Sequence, residues 1–314
     1  MKFPGQRKTK HYFPVDERDP LLTRAGIETA PHTTQVVGID QILVDIEARV
    51  TDEFLERYGL CKGQSVVVEG DKAERLYHEI KSAGLVSHEF AGGTIGNTLH
   101  NYSVLADDIS ILLGVMSADI RIGSYAYRYL CNSSSRVSLE HLQPVDGPIG
   151  RCFALITPDG ERTFAVSAGK MNQLRPQSVP HHIFQSASTL VLTAYLMRCR
   201  EGEPMPEATM TAIRLAQEAG VPVVLTLGTR HIVEDRVGFW RSFISSHVDV
   251  LAMNEEEAAA LTGQADPLRA IDQALDYADL VLCTSGPIGL YMAGYTDDAV
   301  KRATKRPLLP GSIP

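Results

Sequence analysis

The feature that most constrains the fold is a regular alternation of short apolar runs and helical patterns in the second half of the chain. Runs rich in β-branched residues are typical of strands, and between them apolar residues return at helical spacing. From residue 188 the segments are STLVLTAYLM, EPMPEATMTAIRLAQEAG, VPVVLTLG, VGFWRSFISSHV, DVLAMN, EEEAAALTG, DPLRAIDQALDYA and DLVLCTSG. This order is typical of βαβ units around a parallel sheet that is buried on both faces. The sequence therefore predicts an α/β fold with a mostly parallel central sheet flanked by helices.

The start of the patterned region predicts a broken strand followed by a helix. QVVGI at 35–39 reads as a strand that continues, after a break, at 42–50. Residues 71–83 keep helical spacing, with Asp71 placed to cap the helix and Gly84 placed just beyond its end. We expect the helix to end at this glycine.

The remaining patterns predict a small β lid and an irregular arm. Three further strands are expected at 110–115, 150–156 and 162–166, the last two joined by the turn TPDGE. Residues 1–35 are polar and contain several prolines, which is typical of irregular structure. We expect one α/β domain over 36–314, with lid elements around 42–50 and 148–168.

Composition excludes several classes of protein. The net charge of −8 argues against nucleic acid as the main partner, and no apolar run approaches the length of a membrane span. The basic N-terminus lacks the apolar segment of a signal peptide, and the five cysteines show no C-x-x-C pair. We expect a soluble cytoplasmic protein without a structural metal site or a membrane partner, and the sequence leaves the formation of a homo-oligomer open.

The segment AGGTIGNT predicts a corner at which backbone approaches a ligand. Gly92 and Gly93 stand between an apparent strand and an amphipathic helix, where a Cβ would obstruct close approach. A helix start supplies free N–H groups, and Asn97 adds a side chain that both donates and accepts hydrogen bonds. A tight turn with an asparagine cap explains the same residues. If the segment binds a ligand, its backbone N–H groups and Asn97 suit a polyhydroxylated molecule.

Polar and glycine residues follow each strand of the second half. In open parallel sheets ligands bind beyond the carboxyl ends of the strands, so these positions are candidates for binding. They are Arg198, Gly228, Thr229, Asn254, Glu257, Thr284, Gly286 and Gly289. TSGPIG at 284–289 offers N–H groups for phosphate, but it also fits a Gly/Pro hairpin. NEEE at 254–257 fits a capping box as well as a hydrated Mg²⁺ site, and both roles can hold together.

Asp45 is a carboxylate inside the apolar strand ILVDI. Such a group is costly unless it is paired or meets a polar ligand, and a diol is a natural partner because a carboxylate accepts two hydroxyl hydrogen bonds. A salt bridge is the alternative. Asp40 and Gln41, at the break in the first strand, are further candidates to contact the ligand.

Several common α/β enzyme motifs are missing from the sequence. We find no G-x-x-x-x-G-K-[ST] loop, no G-x-G-x-x-G after the first strand, no G-x-S-x-G and no H-R-D. The P-loop, dinucleotide-binding, α/β-hydrolase and protein-kinase classes of enzyme are therefore disfavoured.

Taken together, these residues resemble the ribokinase-like, or PfkB-type, family of carbohydrate and nucleoside kinases over about 36–296. VGIDQILVDI resembles its first strand, AGGTIGN its N-terminal signature, DGPIGRCFALITPDGERTF its lid hairpin with Arg162, NEEE its N-x-x-E motif and TSGPIG its nucleotide loop. The resemblance implies a ribokinase-like fold and transfer of the ATP γ-phosphate to a hydroxyl of a purine nucleoside or a sugar. It implies acceptor binding by Asp45, Gly92, Gly93 and Asn97, ATP binding by Thr284, Gly286 and Gly289, and an indirect role for Asn254 and Glu257 on Mg²⁺. Asp40, Gln41 and Arg198 are further candidates for substrate binding, Arg198 through a phosphate or the base.

The sequence departs from the family's pattern at one motif. The family carries a late G-A-G-D whose Asp is the catalytic base, and the 314 residues contain none. Asp297 and Asp298 in MAGYTDD are weak substitutes. We therefore expect a chain truncated at its C-terminus, with weak or no turnover, so that a nucleoside-binding protein without catalysis is the alternative to a kinase.

Overall fold

The computed structural model describes residues 35–106, 108–133, 136–295 and 301–303. The predicted arm lies outside these residues except for Gln35, at which the first strand begins. In the described residues the helices are α1 (Asp52–Arg57), α2 (Gly70–Ser82), α3 (Thr94–Ala106), α4 (Tyr125–Asn132), α5 (Met205–Glu218), α6 (Arg230–Asp235), α7 (Val237–His247), α8 (Glu255–Thr262) and α9 (Pro267–Ala274). The strands are β1 (Gln35–Ile39), β2 (Leu43–Arg49), β3 (Ser65–Val67), β4 (Val86–Ala91), β5 (Ile109–Leu113), β6 (Val115–Ser117), β7 (Val137–Ser138), β8 (Gln143–Val145), β9 (Gly150–Ile156), β10 (Arg162–Ser167), β11 (Ala187–Thr193), β12 (Val223–Thr226), β13 (Val250–Asn254), β14 (Leu280–Thr284), β15 (Leu290–Tyr295) and β16 (Lys301–Ala303).

The chain forms two compact units. The N-terminal unit comprises the described residues of 38–180 and 199–209, and the C-terminal unit comprises those of 35–37, 181–198 and 210–314. Within the described ranges, none of the helices is both long and apolar enough to cross a bilayer.

The N-terminal unit contains a five-stranded sheet in the order β3-β10-β9-β2-β4. β9 and β10 form the predicted antiparallel hairpin, whose turn is closed by the Thr157 N–H donating to the carbonyl of Glu161 at 3.1 Å. On β2, Val44 and Ile46 are fully buried, whereas Asp45 and Glu47 point to the other face and are half-exposed. This two-residue alternation turns the Asp45 side chain away from the core.

The C-terminal unit contains the parallel strands predicted from the alternation. β11, β12, β13 and β14 pair in this order and all in parallel, and β15 and β16 add antiparallel strands at the edge. Val281 and Cys283 on β14 are fully buried, but Leu280 and Leu282 on its other face are half-exposed. Burial on both faces was the expectation, and in β14 only one face is fully covered.

A single tryptophan joins two helices of the C-terminal unit. Trp240 on α7 is fully buried, and its indole N–H donates to the carbonyl of Ile232 on α6 at 2.7 Å. Its ring also meets Phe243 edge to face, at 5.7 Å between centroids. A buried indole needs such a partner for its N–H, so this bond sets the position of α6 against α7.

The structure differs from the sequence prediction in several details. The strand predicted from 188 ends at Thr193, because Ala194–Met197 is a 3₁₀ turn whose start is capped by the Thr193 hydroxyl. Asp71 is not a cap, since α2 begins at Gly70 and its N-cap residue Glu69 makes no side-chain cap bond. Helix α6 was not predicted at all. The end of α2 is as expected, with Gly84 just beyond it at φ +67°.

Candidate functional site

The two glycines of AGGTIGNT lie at the junction of β4 and α3. The Gly92 N–H donates to the carbonyl of Leu43 at 3.0 Å, and Gly93 has a φ of +97°. A Cβ on Gly92 would overlap the carboxylate of Asp45, and a Cβ on Gly93 would overlap that of Asp40. Glycine is therefore required at both positions by close approach, and at Gly93 by backbone conformation as well.

Asp45 lies beside this loop on the half-exposed face of the five-stranded sheet. Its cross-strand neighbours are Phe90 on β4 and Cys152 on β9, and the Cys152 thiol donates to its carboxylate. Burial raises the pKa of Asp45 to about 6, against the lowering effect of this hydrogen bond. At pH 8 the group is ionised and free to accept further hydrogen bonds, as a diol-binding carboxylate must be.

Asp40 and Gln41 occupy the break between β1 and β2, and both are buried. The Asp40 carboxylate is 1% exposed and accepts the N–H groups of Gly96 at 2.7 Å and Gln41 at 2.9 Å. Burial raises the pKa of Asp40 to about 7. The Gln41 amide is 7% exposed and donates to the Asn172 side chain at 2.7 Å. The break is thus fixed by buried hydrogen bonds.

Asn97 is exposed on the first turns of α3, next to a cavity of about 330 Å³. Its side chain makes no hydrogen bond within the described part of the chain. The cavity is lined by Phe90, Asn97, His100, Leu112, Tyr129 and Asn132, among others. Ala91 and Gly96, which flank the glycine loop in the chain, also line this cavity.

The edge of the parallel sheet brings two predicted residues side by side. Asn254 and Thr284 are in-register partners at the ends of β13 and β14. Asn254 also begins α8 with a capping box: its side chain accepts the Glu257 N–H at 2.8 Å, and Glu257 accepts the Asn254 N–H at 3.0 Å. Glu257 is 3% exposed, and burial raises its pKa. The capping role left open by the sequence is present.

Asn254→Ala is expected to lower the free energy of unfolding by about 1 kcal/mol, because it removes the oxygen that caps α8. Asn254→Ser keeps a capping oxygen and should lie within a few tenths of a kcal/mol of the wild type. Urea unfolding followed by circular dichroism measures both. Equal losses for the two variants would show that the cap oxygen is not what stabilises this turn.

TSGPIG forms a tight hairpin between β14 and β15. The Ser285 N–H donates to the carbonyl of Gly289 at 2.8 Å, and the Ser285 hydroxyl bonds to the carboxylate of Glu255. Gly286 and Gly289 have φ values of +48° and +125°, which only glycine adopts readily. The hairpin reading is therefore correct, and a phosphate-binding role for Thr284, Gly286 and Gly289 stays a prediction.

Arg198 follows the 3₁₀ turn rather than the strand itself. It is exposed, and its guanidinium stacks over the Tyr195 ring at 4.9 Å from the centroid. The Tyr195 hydroxyl donates to the carbonyl of Gly228 at 3.2 Å. Two of the predicted strand ends, at Arg198 and Gly228, are thereby brought together around one tyrosine.

A dedicated metal cage is not found in the described ranges, where His, Cys, Asp and Glu form no cluster of three or more. Glu257 has both carboxylate oxygens in bonds to Asn254, at 3.0 and 3.1 Å. These residues therefore do not fit direct ligation of Mg²⁺. They fit at most the indirect role predicted for them, since Mg²⁺ usually keeps several waters and arrives with substrate phosphates.

The structure groups the predicted residues by unit. Asp40, Gln41, Asp45, Gly92, Gly93 and Asn97 surround one loop of the N-terminal unit, whereas Arg198, Asn254, Glu257, Thr284, Gly286 and Gly289 belong to the C-terminal unit. Arg162, at the start of β10, is exposed. Asp297 and Asp298 lie outside the described residues. Sequence reasoning missed Cys152, Tyr129 and Asn172, and only Cys152 carried a signal, as a small polar group alternating with the buried Phe153.

Comparison with known proteins defines the class. The model of the pfkB family of carbohydrate kinases matches residues 128–307. The guanosine-inosine kinase of Escherichia coli K12 is 64% identical over 313 residues, which is 100% of this chain and 72% of that relative. The chain therefore belongs to the pfkB family of carbohydrate kinases.

Solved structures show the same fold. The adenosine kinase of Sinorhizobium meliloti superposes with a TM-score of 0.71 at 25% identity, over 88% of this chain and 81% of that one. A probable sugar kinase of Rhizobium etli CFN 42 gives 0.72 at 22% identity, over 86% and 78%. The ribokinase-like fold expected from the sequence is thereby confirmed.

Proposed function

We propose that this protein is an ATP-dependent nucleoside kinase that transfers the γ-phosphate to the 5′-hydroxyl of inosine or guanosine, giving IMP or GMP. The observation that carries the proposal is the 64% identity over the whole chain to a guanosine-inosine kinase. The reaction belongs to purine salvage, and we place it in the cytoplasm.

The geometry of the N-terminal unit supports the acceptor side of this proposal. Asp45 accepts hydrogen bonds from the two ribose hydroxyls, the glycines let the loop backbone approach the sugar, and Asn97 bonds a ribose oxygen. A half-buried carboxylate next to two obligatory glycines has the chemistry that a ribose diol needs. The 5′-hydroxyl is thereby oriented while the base lies outside this contact.

On the donor side, Thr284 and the backbone of Gly286 and Gly289 bind the ATP phosphates, and Arg198 contacts phosphate or base. Asn254 and Glu257 would orient a hydrated Mg²⁺ arriving with the nucleotide, and the ion would neutralise the charge that develops on the transferred phosphoryl group. We assign no described residue as the general base.

A panel of acceptors tests the proposal. With ATP and Mg²⁺, phosphorylation and calorimetric binding are measured separately for inosine, guanosine, adenosine and free ribose. Preference for inosine and guanosine supports the proposal, and preference for adenosine moves the chain to the adenosine kinases of the same family. Phosphorylation of ribose but not of nucleosides would contradict it. Binding of guanosine without turnover would identify a nucleoside-binding protein.

A further inference from the structure

Asp40 is too deeply buried to be a ligand contact. Its carboxylate is 1% exposed, and its own N–H donates to the carbonyl of Leu113 at 3.0 Å, which fixes the end of β1. The hydrogen bonds that it accepts come from backbone N–H groups, those of Gly96 and Gln41, and the N–H of Ile95 also interacts with it. An ionisable group in such a position acts on a ligand only through the segment that it holds.

The segment in question is the start of α3. Gly96 is the third residue of this helix, so its N–H is one of those left without a partner inside the helix. A carboxylate that accepts this N–H also interacts favourably with the helix dipole. Tyr129 closes the other side, since a Cβ on Gly96 would lie 2.8 Å from the Tyr129 hydroxyl and 3.4 Å from Asp40 Oδ2. The start of α3 at Gly96 therefore lies between the side chains of Asp40 and Tyr129.

We propose that Asp40 is a positioning residue: its ionised carboxylate holds the start of α3 and the two-glycine loop in the geometry in which Gly93 and Asn97 meet the acceptor. The inference rests on the proposed function for the identity of the acceptor. The positioning role replaces the direct ligand contact that the sequence suggested for Asp40.

The charge of Asp40 is set by few neighbours. Asp45 faces it from β2 and raises its pKa by like charge, while Tyr129 faces it from α4. Burial raises the pKa of Tyr129 well above its usual value, so the phenol stays neutral. The first turn of α3 carries no acidic residue. With a pKa of about 7, Asp40 is ionised at pH 8 and mostly protonated at pH 6, and a protonated carboxyl accepts N–H bonds more weakly.

The first test is amide hydrogen exchange at pH 8 on wild type and Asp40→Asn. Peptides spanning 92–98 are expected to exchange about tenfold faster in the variant, with other helices of the same unit unchanged, because one charge-assisted hydrogen bond is lost. Asp71→Asn is the matched control, since Asp71 is an exposed acid in the first turn of α2. Unchanged exchange at 92–98 in Asp40→Asn would overturn the inference, whether or not the protein binds a nucleoside.

The second test separates positioning from a merely structural role. The guanosine Kd of the wild type is expected to rise about tenfold between pH 8 and pH 6, with its upper step near the pKa of Asp40. At pH 8, Asp40→Asn should already bind guanosine about tenfold more weakly than the wild type. The Kd of the variant should then change with pH only near pH 6, where Asp45 titrates. Binding of ATP should be the same in both proteins.

The outcomes distinguish the two proposals. If wild type does not bind guanosine at any pH, the proposed function fails, and hydrogen exchange alone decides the role of Asp40. If wild type binds and Asp40→Asn shows the same Kd and the same upper step, the proposed function stands and the positioning role is wrong.

Discussion

Asp45→Asn is expected to weaken guanosine binding by about 100-fold at pH 8. The variant keeps the shape of the side chain but loses the charge that two ribose hydroxyls share, and each charge-assisted hydrogen bond contributes about 1.5–3 kcal/mol. A factor of ten in affinity corresponds to about 1.4 kcal/mol, so a 100-fold loss corresponds to about 2.8 kcal/mol. This is about the contribution of one to two such hydrogen bonds. Isothermal titration of wild type and variant with guanosine measures it.

Glu47→Gln is the matched control for this prediction. Glu47 lies two residues further along β2 on the same face, where it accepts the Ser87 hydroxyl at 2.9 Å. Its neutralisation should leave the guanosine Kd unchanged. If the two variants lose the same affinity, general charge on this sheet matters rather than a specific contact of Asp45, and the assignment of Asp45 would be wrong.

Gly93→Ala is expected to lower the free energy of unfolding by about 3 kcal/mol and to abolish nucleoside binding. An alanine would have to adopt a φ of +97°, and its Cβ would overlap the Asp40 carboxylate and lie 3.2 Å from the Gln41 carbonyl oxygen. Strained backbone costs about 1–3 kcal/mol, and forced overpacking costs a similar amount. Urea unfolding of the variant provides the value.

Gly84→Ala separates the two causes of that loss. Gly84 also has a positive φ, of +67°, but nothing lies within 4 Å of where its Cβ would be. Only the backbone cost of about 1 kcal/mol is expected there. Equal losses in the free energy of unfolding for Gly84→Ala and Gly93→Ala would mean that overlap with Asp40 contributes nothing to the cost at position 93.

The alternation of strands and helices was predictable because the β-branched runs are short and most of them are separated by segments with helical spacing. The capping box at Asn254 and the hairpin at TSGPIG were predictable because each is formed by residues close together in the chain. Helix α6 was missed because Arg230–Asp235 is too short to show a period. Asp71 was misread as a cap because spacing does not decide between adjacent starting residues.

Contacts between distant parts of the chain were not predictable. The Gln41 side chain bonds Asn172, 131 residues away, and Tyr129 closes on Gly96 from a helix that the sequence did not suggest. The residues proposed for acceptor binding could be singled out from the sequence, because glycines and a carboxylate inside an apolar strand stand out locally. Which of them face a ligand and which hold the loop depends on burial, and burial of single polar residues follows from the three-dimensional packing alone.

The most direct measurement is calorimetric titration of this 314-residue polypeptide with guanosine, with its melting curve recorded on the same sample. We predict saturable binding of one guanosine per chain to a folded protein, and binding about 100-fold weaker in Asp45→Asn. A cooperative melting curve together with no heat of binding would contradict the proposed function, because a folded protein would then lack the acceptor site assigned to it.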